Sequence, residues 1–314
     1  MTRKLLLDVD TGIDDALAIT YALSQKAGDL IAVSTIFGNT ELKTATKNTL
    51  DLLSLFGRED IPVYPGASHP WEKEEWIVNE HLHRIHGYNG IGDVRLPSSS
   101  KKAEEESAPD AMIRLCREYQ KDLTLVCVGP LTNLADALKK DEEALHLCEK
   151  IVIMGGALTI RGNATPYSEA NIHNDPEAAK YVLESDLPLV LIGLDVTLKT
   201  IITGSDIASW KEIDTDKSEL LYGAAAYYYT GEFGDVIGGA MHDPLAYACA
   251  LYPELIKDSL PICLTVDLEG ESRGRTVTDR DLLNKEHKTT QYALDVDEKA
   301  FLDSFTSSIR DILR

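Results

Sequence analysis

The sequence predicts an α/β fold: a mostly parallel central sheet flanked by helices, with its functional site at the C-terminal ends of the strands. Three observations carry this. Apolar runs of strand length alternate with amphipathic stretches of helical period. Suitable caps open the helices, as in Asp175-Pro176-Glu177, where Asp fits the N-cap and Pro the first turn. The unusual polar motifs follow strand candidates, where ligands collect in open α/β sheets.

The first expected strand is Lys4–Val9, followed by a helix over Asp14–Gln25. Strand Leu30–Phe37 and helix Glu41–Phe56 come next. Helix Ala108–Tyr119 precedes strand Leu123–Val128, and helix Leu131–Lys139 leads to strand Lys150–Met154. Helix Pro176–Glu184 is followed by strand Leu187–Leu194. Strand-like runs return at Leu260–Leu268 and Thr289–Val296, before a closing amphipathic helix to Leu313. Two regions break the alternation. Residues 67–106 carry His69, His81, His83, His86 and two tryptophans, and a connection this long suggests a lid or insertion. Residues 205–250 read as several helices in succession with a Tyr227-Tyr228-Tyr229 cluster, a substrate-pocket segment. No repeat, linker or composition break divides the chain, so one domain is expected over residues 1–314.

Lys and Arg number 31 against 52 Asp and Glu, a formal charge of −21. Such an acidic excess argues against a nucleic-acid partner and against docking on an anionic membrane, and for a small molecule without negative charge. The five cysteines are scattered without a CxxC pair, as buried reduced thiols are. Apolar runs fall short of the ~20 residues of a membrane span, and Leu5–Leu7 stops at Asp8, too short for a signal peptide. A cytoplasmic location is expected.

Chemistry concentrates in three clusters. In Asp8-Val9-Asp10-Thr11-Gly12-Ile13-Asp14-Asp15, four carboxylates fall within eight residues. Like charges so close demand a counter-charge, and oxygen-only ligands favour a hard divalent cation, Ca²⁺ or Mg²⁺. Capping of the following helix accounts for Asp14 or Asp15 but not for all four. The second cluster is Met241-His242-Asp243-Pro244: a helix cap taken alone, or a further metal carboxylate beside an imidazole able to serve a leaving group. The third runs from Asn163 to Asn171, where Asn163, Glu169 and Asn171 suit sugar hydroxyls, although alone it reads as a turn.

A strand ending in Asp-x-Asp also resembles the start of haloacid-dehalogenase-like phosphatases. That pattern wants Thr or Val where Gly12 stands, and its downstream acidic pair is broken, with Gly239 in the second place after Gly234-Asp235. The fuller resemblance is to nucleoside hydrolases of the inosine-uridine-preferring family. Asp8–Ala16 is similar to that family's Asp-Thr-Asp-Pro-Gly-x-Asp-Asp-Ala, with Val9 and Thr11 replacing Thr and Pro. Gly38-Asn39, His86-Gly87, Gly129-Pro130-Leu131-Thr132-Asn133, Asn163 to Asn171 and His242-Asp243-Pro244 follow in the family's order.

The resemblance implies a Rossmann-like nucleoside hydrolase fold and hydrolysis of ribonucleosides to base and ribose. It implies a Ca²⁺ held by Asp10, Asp15, Asp243 and the Val128 carbonyl, with Asp10 also the base that takes a proton from water. Asp8 would steady the loop from behind. Asp14, Asn39, Asn163, Glu169 and Asn171 would hold ribose, and His242 would protonate or contact the leaving base. One of His81, His83 and His86 would reach the substrate, with His86 the match by motif order; Tyr228, Tyr229 or Trp76 would stack on the base, and the tyrosines equally suit a packed helix face. Family analogy implies nucleoside salvage and a homodimer or homotetramer. The competing reading is a non-catalytic calcium- or nucleoside-binding protein on the same fold.

Overall fold

A computed structural model describes residues 3–230 and 234–314. Its centre is an eight-stranded sheet: β1 (Arg3–Val9), β2 (Gly28–Thr35), β3 (Val63–Pro65), β4 (Leu123–Cys127), β5 (Lys150–Met154), β6 (Leu189–Ile192), β7 (Ile256–Ile262) and β8 (Thr290–Val296). The order is β3-β2-β1-β4-β5-β6-β8-β7. All neighbours run parallel except β8 and β7, which pair antiparallel at one edge. The expected architecture is therefore present.

Alternation along β1 shows why the sheet is buried on both sides. Leu5, Leu7 and Val9 face a core shared with helices Ile13–Ser24, His242–Leu251 and Glu298–Ile312. Leu6 faces the opposite core, under helices Ala108–Tyr119, Thr132–Lys140 and Pro176–Leu183. Side chains two apart share a face, so an unbroken apolar run feeds both layers.

Three expectations change. Leu260–Leu268 is not one strand: β7 ends at Ile262, and Thr265–Val266 pairs with Thr276–Val277 in a separate two-stranded sheet. Within 67–106 the one helix is Glu80–His86. Residues 205–250 hold helices Gly204–Lys211 and Asp216–Tyr228, but strand Gly238–Ala240 then pairs with Ile201–Thr203 before helix His242–Leu251. Residues 231–233 of that segment lie outside the described residues. No helix among the described residues is long and apolar enough to cross a membrane.

Candidate active site

The parallel strands all end on one rim, and the polar motifs leave from it. Just past β1 the chain turns at Gly12 into helix Ile13–Ser24, and Asp15 builds that turn. Asp15 Oδ2 accepts from the Gly12 N–H at 2.9 Å, and Oδ1 accepts from the Asp10 N–H at 3.1 Å. The carboxylate thus caps a helix whose positive end favours it. The Asn39 N–H donates to Asp10 Oδ2 at 2.6 Å, while Asn39 Nδ2 donates to Asp15 Oδ2 at 3.1 Å. Asn39 therefore bridges the two carboxylates from the end of β2.

Backbone approach is close here. A Cβ on Gly38 would overlap Asp10 Oδ2, and one on Gly12 would crowd His86 Nδ1 and Asn39. Gly38→Ala is expected to displace Asp10 and lower kcat/KM for ribose release about 10²-fold, the scale of a misplacement near 1 Å. Turnover at the wild-type level in that variant would show that the position of Asp10 does not matter.

Asp243 joins this cluster from the first turn of helix His242–Leu251, which packs against helix Ile13–Ser24. One oxygen each of Asp14, Asp15 and Asp243 lies within 4.8 Å of the other two. Asp10 is not in that set of three, yet its Oδ1 is buried without a hydrogen-bond partner among the described residues, as is Asp14 Oδ1. Burial and then neighbouring carboxylate charge raise Asp14 to about 7 and hold Asp10 and Asp243 well above the usual carboxylate range. Asp15 is raised by burial and lowered in part by its hydrogen bonds. Four desolvated carboxylates, two of them (Asp10 and Asp14) with an orphaned oxygen, fit a hard cation, because its charge offsets the desolvation and supplies the missing partner. The Val128 carbonyl, just after β4, accepts from Asn171 Nδ2 at 2.7 Å and keeps a second lone pair.

Asp8 stands behind the cluster. Its Oδ1 accepts from Ser34 Oγ at 2.5 Å and from Asn133 Nδ2 at 2.8 Å, and burial raises it to about 6. Asn133, from the Gly-Pro-Leu-Thr-Asn motif, also binds the Thr35 carbonyl and the Ala67 N–H, so it ties β1, β2 and the start of the 67–106 segment together.

Asp14 and Asp243 line a cavity of about 790 Å³, with Asp10 and Asp15 outside its lining. Its wall includes Asn39, Trp76, His81, His86, Val128, Asn163, Glu169, Asn171, Tyr228 and His242. Glu169 caps helix Ala170–Asn174, accepting from the N–H groups of Gly156, Asn171 and Ile172. Asn163 Oδ1 accepts from the Ala170 N–H, which closes the loop over that cap.

Of His81, His83 and His86, His86 and His81 line the cavity, while His83 stacks on Tyr88 with ring centroids 4.5 Å apart. His86 Nδ1 accepts from the Ile13 N–H at 3.2 Å, which leaves the proton on Nε2; burial and then His81 lower its pKa to about 3. Tyr228 packs against His86 with ring centroids 5.3 Å apart, and its hydroxyl faces the Asp14 carboxylate and lowers its pKa. Tyr229 does not reach the cavity: it is buried, with its hydroxyl donating to the Ala240 carbonyl at 3.0 Å. Burial lowers His242 to about 4, and its Nδ1 meets Thr197 Oγ1 at 2.8 Å. Sequence reasoning foresaw capping by Asp14 or Asp15, and Asp15 is the one that caps; it missed Thr197 and the capping duty of Glu169.

The whole chain is similar to known proteins. A pyrimidine-specific ribonucleoside hydrolase, RihA of Shewanella woodyi, is 35% identical over 319 residues and is matched along 100% of both chains. Uridine nucleosidase 1 of Arabidopsis thaliana is 34% identical over 282 residues, 89% of this chain and 83% of the plant protein. Among solved structures, a purine-preferring ribonucleoside hydrolase from Gardnerella vaginalis superposes with a TM-score of 0.95 at 43% identity over 99% of each chain. Residues 5–303 match the family described as inosine-uridine preferring nucleoside hydrolase. The phosphatase and non-catalytic readings fall away with that match. The chain belongs to the inosine-uridine preferring nucleoside hydrolase family and is an enzyme that hydrolyses N-glycosyl bonds.

Proposed function

We propose that the chain releases ribose from ribonucleosides with a Ca²⁺ held by Asp10, Asp15, Asp243 and the Val128 carbonyl. The observation that carries this reading is the orphaned, buried Asp10 Oδ1 beside the Asp14, Asp15 and Asp243 oxygens. When bound, such a cation offsets the carboxylate charge, accepts the oxygens of a sugar diol and makes nearby water more acidic.

The chain's own residues then divide the work. Asp10 takes the proton of the water that attacks C1′. As the C1′–N bond breaks, its electron pair passes to the base and positive charge builds on the ribosyl ring, which the surrounding carboxylates stabilise. Asp14, Asn39, Asn163, Glu169 and Asn171 hold ribose. With Asn171 Nδ2 spent on the Val128 and Met154 carbonyls and Asn163 Oδ1 on Ala170, Asn171 Oδ1 and Asn163 Nδ2 are left for sugar hydroxyls. His86 and Tyr228 flank the base, Tyr229 backs Tyr228 in an edge contact at 4.7 Å, and His242 meets the departing base.

Purine ribonucleosides are the preferred substrates in this reading, in line with the 43% identity to the purine-preferring Gardnerella enzyme against 35% to RihA. Residues 67–106 act as a lid and residues 205–250 as the pocket segment of a single domain. The enzyme serves nucleoside salvage in the cytoplasm as a homodimer or homotetramer.

Chelator-treated protein reconstituted with Ca²⁺, Mg²⁺ or Zn²⁺ separately tests the ion: ribose release from inosine is expected to return with Ca²⁺. Recovery with Mg²⁺ or Zn²⁺ and none with Ca²⁺ would assign a different metal. A panel of inosine, adenosine, guanosine, uridine and cytidine is expected to show the three purines ahead. The 2′-deoxy substrates should fall at least ~10²-fold behind, because a missing hydroxyl leaves buried partners unpaired.

A further inference from the structure

We propose that Thr197 is the positioning residue that fixes His242 in the tautomer carrying its ring proton on Nε2, so that a hydrogen-bond donor faces the cavity. The inference rests on the contact between His242 and the departing base set out above. Thr197 is fully buried, and its Oγ1 stands 2.8 Å from His242 Nδ1. Oγ1 has no other partner among the described residues. The usual local acceptor, the carbonyl four residues earlier, belongs to Gly193 and instead takes the N–H groups of Val196 and Thr197 at 3.1 Å each. Were Nδ1–H the donor, the buried hydroxyl proton would have no acceptor, which protein interiors avoid. The hydroxyl therefore donates to Nδ1 and the ring proton sits on Nε2, since the bond made by one ring nitrogen sets the state of the other.

The support is rigid. The Met241 N–H donates to the Thr200 carbonyl at 2.9 Å, and the Thr200 hydroxyl donates to the Thr197 carbonyl at 3.0 Å with the Met241 carbonyl 3.3 Å away, so the backbone entering His242 is held to the same turn. That turn ends helix Leu194–Thr197, whose Asp195 accepts from the Leu158 and Thr159 N–H groups, the Thr159 hydroxyl and the Tyr292 hydroxyl. His242 lines the cavity, and its Nε2 has no protein partner among the described residues. As the electron pair of the C1′–N bond passes to the base, Nε2–H donates a hydrogen bond to it. The proton stays on the imidazole, and the freed base takes its proton from water.

The experiment compares inosine with 4-nitrophenyl β-D-ribofuranoside, whose phenolate leaves without a donor, in the Ca²⁺-loaded enzyme. Thr197→Val is expected to lower kcat for inosine about 10- to 100-fold, the scale of losing a hydrogen bond that orients a site residue, with KM within about threefold. The ratio of inosine to riboside turnover falls by the same factor, and Thr197→Ser restores it. Riboside turnover in the same sample reports that the fold is intact. In His242→Ala that ratio is expected to fall at least as far. A wild-type ratio in Thr197→Val together with a reduced one in His242→Ala overturns the role of Thr197 alone; a wild-type ratio in His242→Ala overturns the reading of His242 beneath it. Nitrogen-15 NMR of the wild-type imidazole decides independently of any variant: protonated Nε2 is expected, and protonated Nδ1 sinks the inference.

Discussion

Asp10→Asn is expected to lower kcat for ribose release about 10²- to 10⁴-fold, the range of a lost general base, while raising the melting temperature of the chelator-treated protein. Both effects come from one carboxylate. Its Oδ1 is buried without a partner among the described residues, and desolvation and then the Asp15 charge hold its pKa well above the ordinary value of 3.8. An amide keeps the acceptor for the Asn39 N–H and removes the like charge facing Asp15. Relief of about 1 kcal/mol moves the transition of a domain this size by roughly 2–4 °C. A variant that is inactive but also less stable without metal would mean that Asp10 holds the loop together rather than straining it. Undiminished turnover would remove Asp10 from the chemistry.

Chelation is expected to lower the melting temperature by roughly 5–10 °C at pH 8, a shift of the size that a tightly bound ligand contributes, with little change at pH 5. The sign follows from the carboxylates. Asp14 is raised from 3.8 to about 7 and Asp8 from 3.8 to about 6, burial being the main cause in each. Between those values these two carboxylates bind more protons in the metal-free fold than in the unfolded chain, so their contribution to its stability is greatest at low pH and is lost as pH rises through about 7. A cation selects the ionised carboxylates, so its contribution grows over the same window. Differential scanning fluorimetry with and without chelator across pH 5–8 reads this directly. A chelator shift of the same size at every pH contradicts the carboxylate assignment.

The parallel centre of the sheet was legible because strands covered on both faces are unbroken apolar runs, as in Leu5-Leu6-Leu7 and Ile151-Val152-Ile153. The edges were not. β3 is three residues ending in Pro65, and β7 interleaves Lys257, Asp258 and Pro261 with its apolar residues, as edge strands do. The expected strand Leu260–Leu268 followed hydrophobicity across Cys263 and Leu264, which link two different sheets. In the site, residues close in sequence were visible as motifs. The tyrosine pair was not separable, because adjacent residues on a helix differ by about 100°: Tyr228 faces the cavity and Tyr229 the core. Thr197 carried no signal at all, being one threonine 45 residues before the imidazole that it meets.

Asp14 and Asp15 open a helix near the start of the chain, and Asp243 opens one more than two hundred residues later, with the two helices packed side by side. A nascent chain that ends before residue 243 already contains β1 through β6 but lacks the last carboxylate and the helix that covers that face. Under the proposed ligand set, a chain that stops before residue 243 lacks one of the metal carboxylates and is expected to bind the cation far more weakly. Metal content is therefore expected to separate full-length molecules from chains truncated before the late helix.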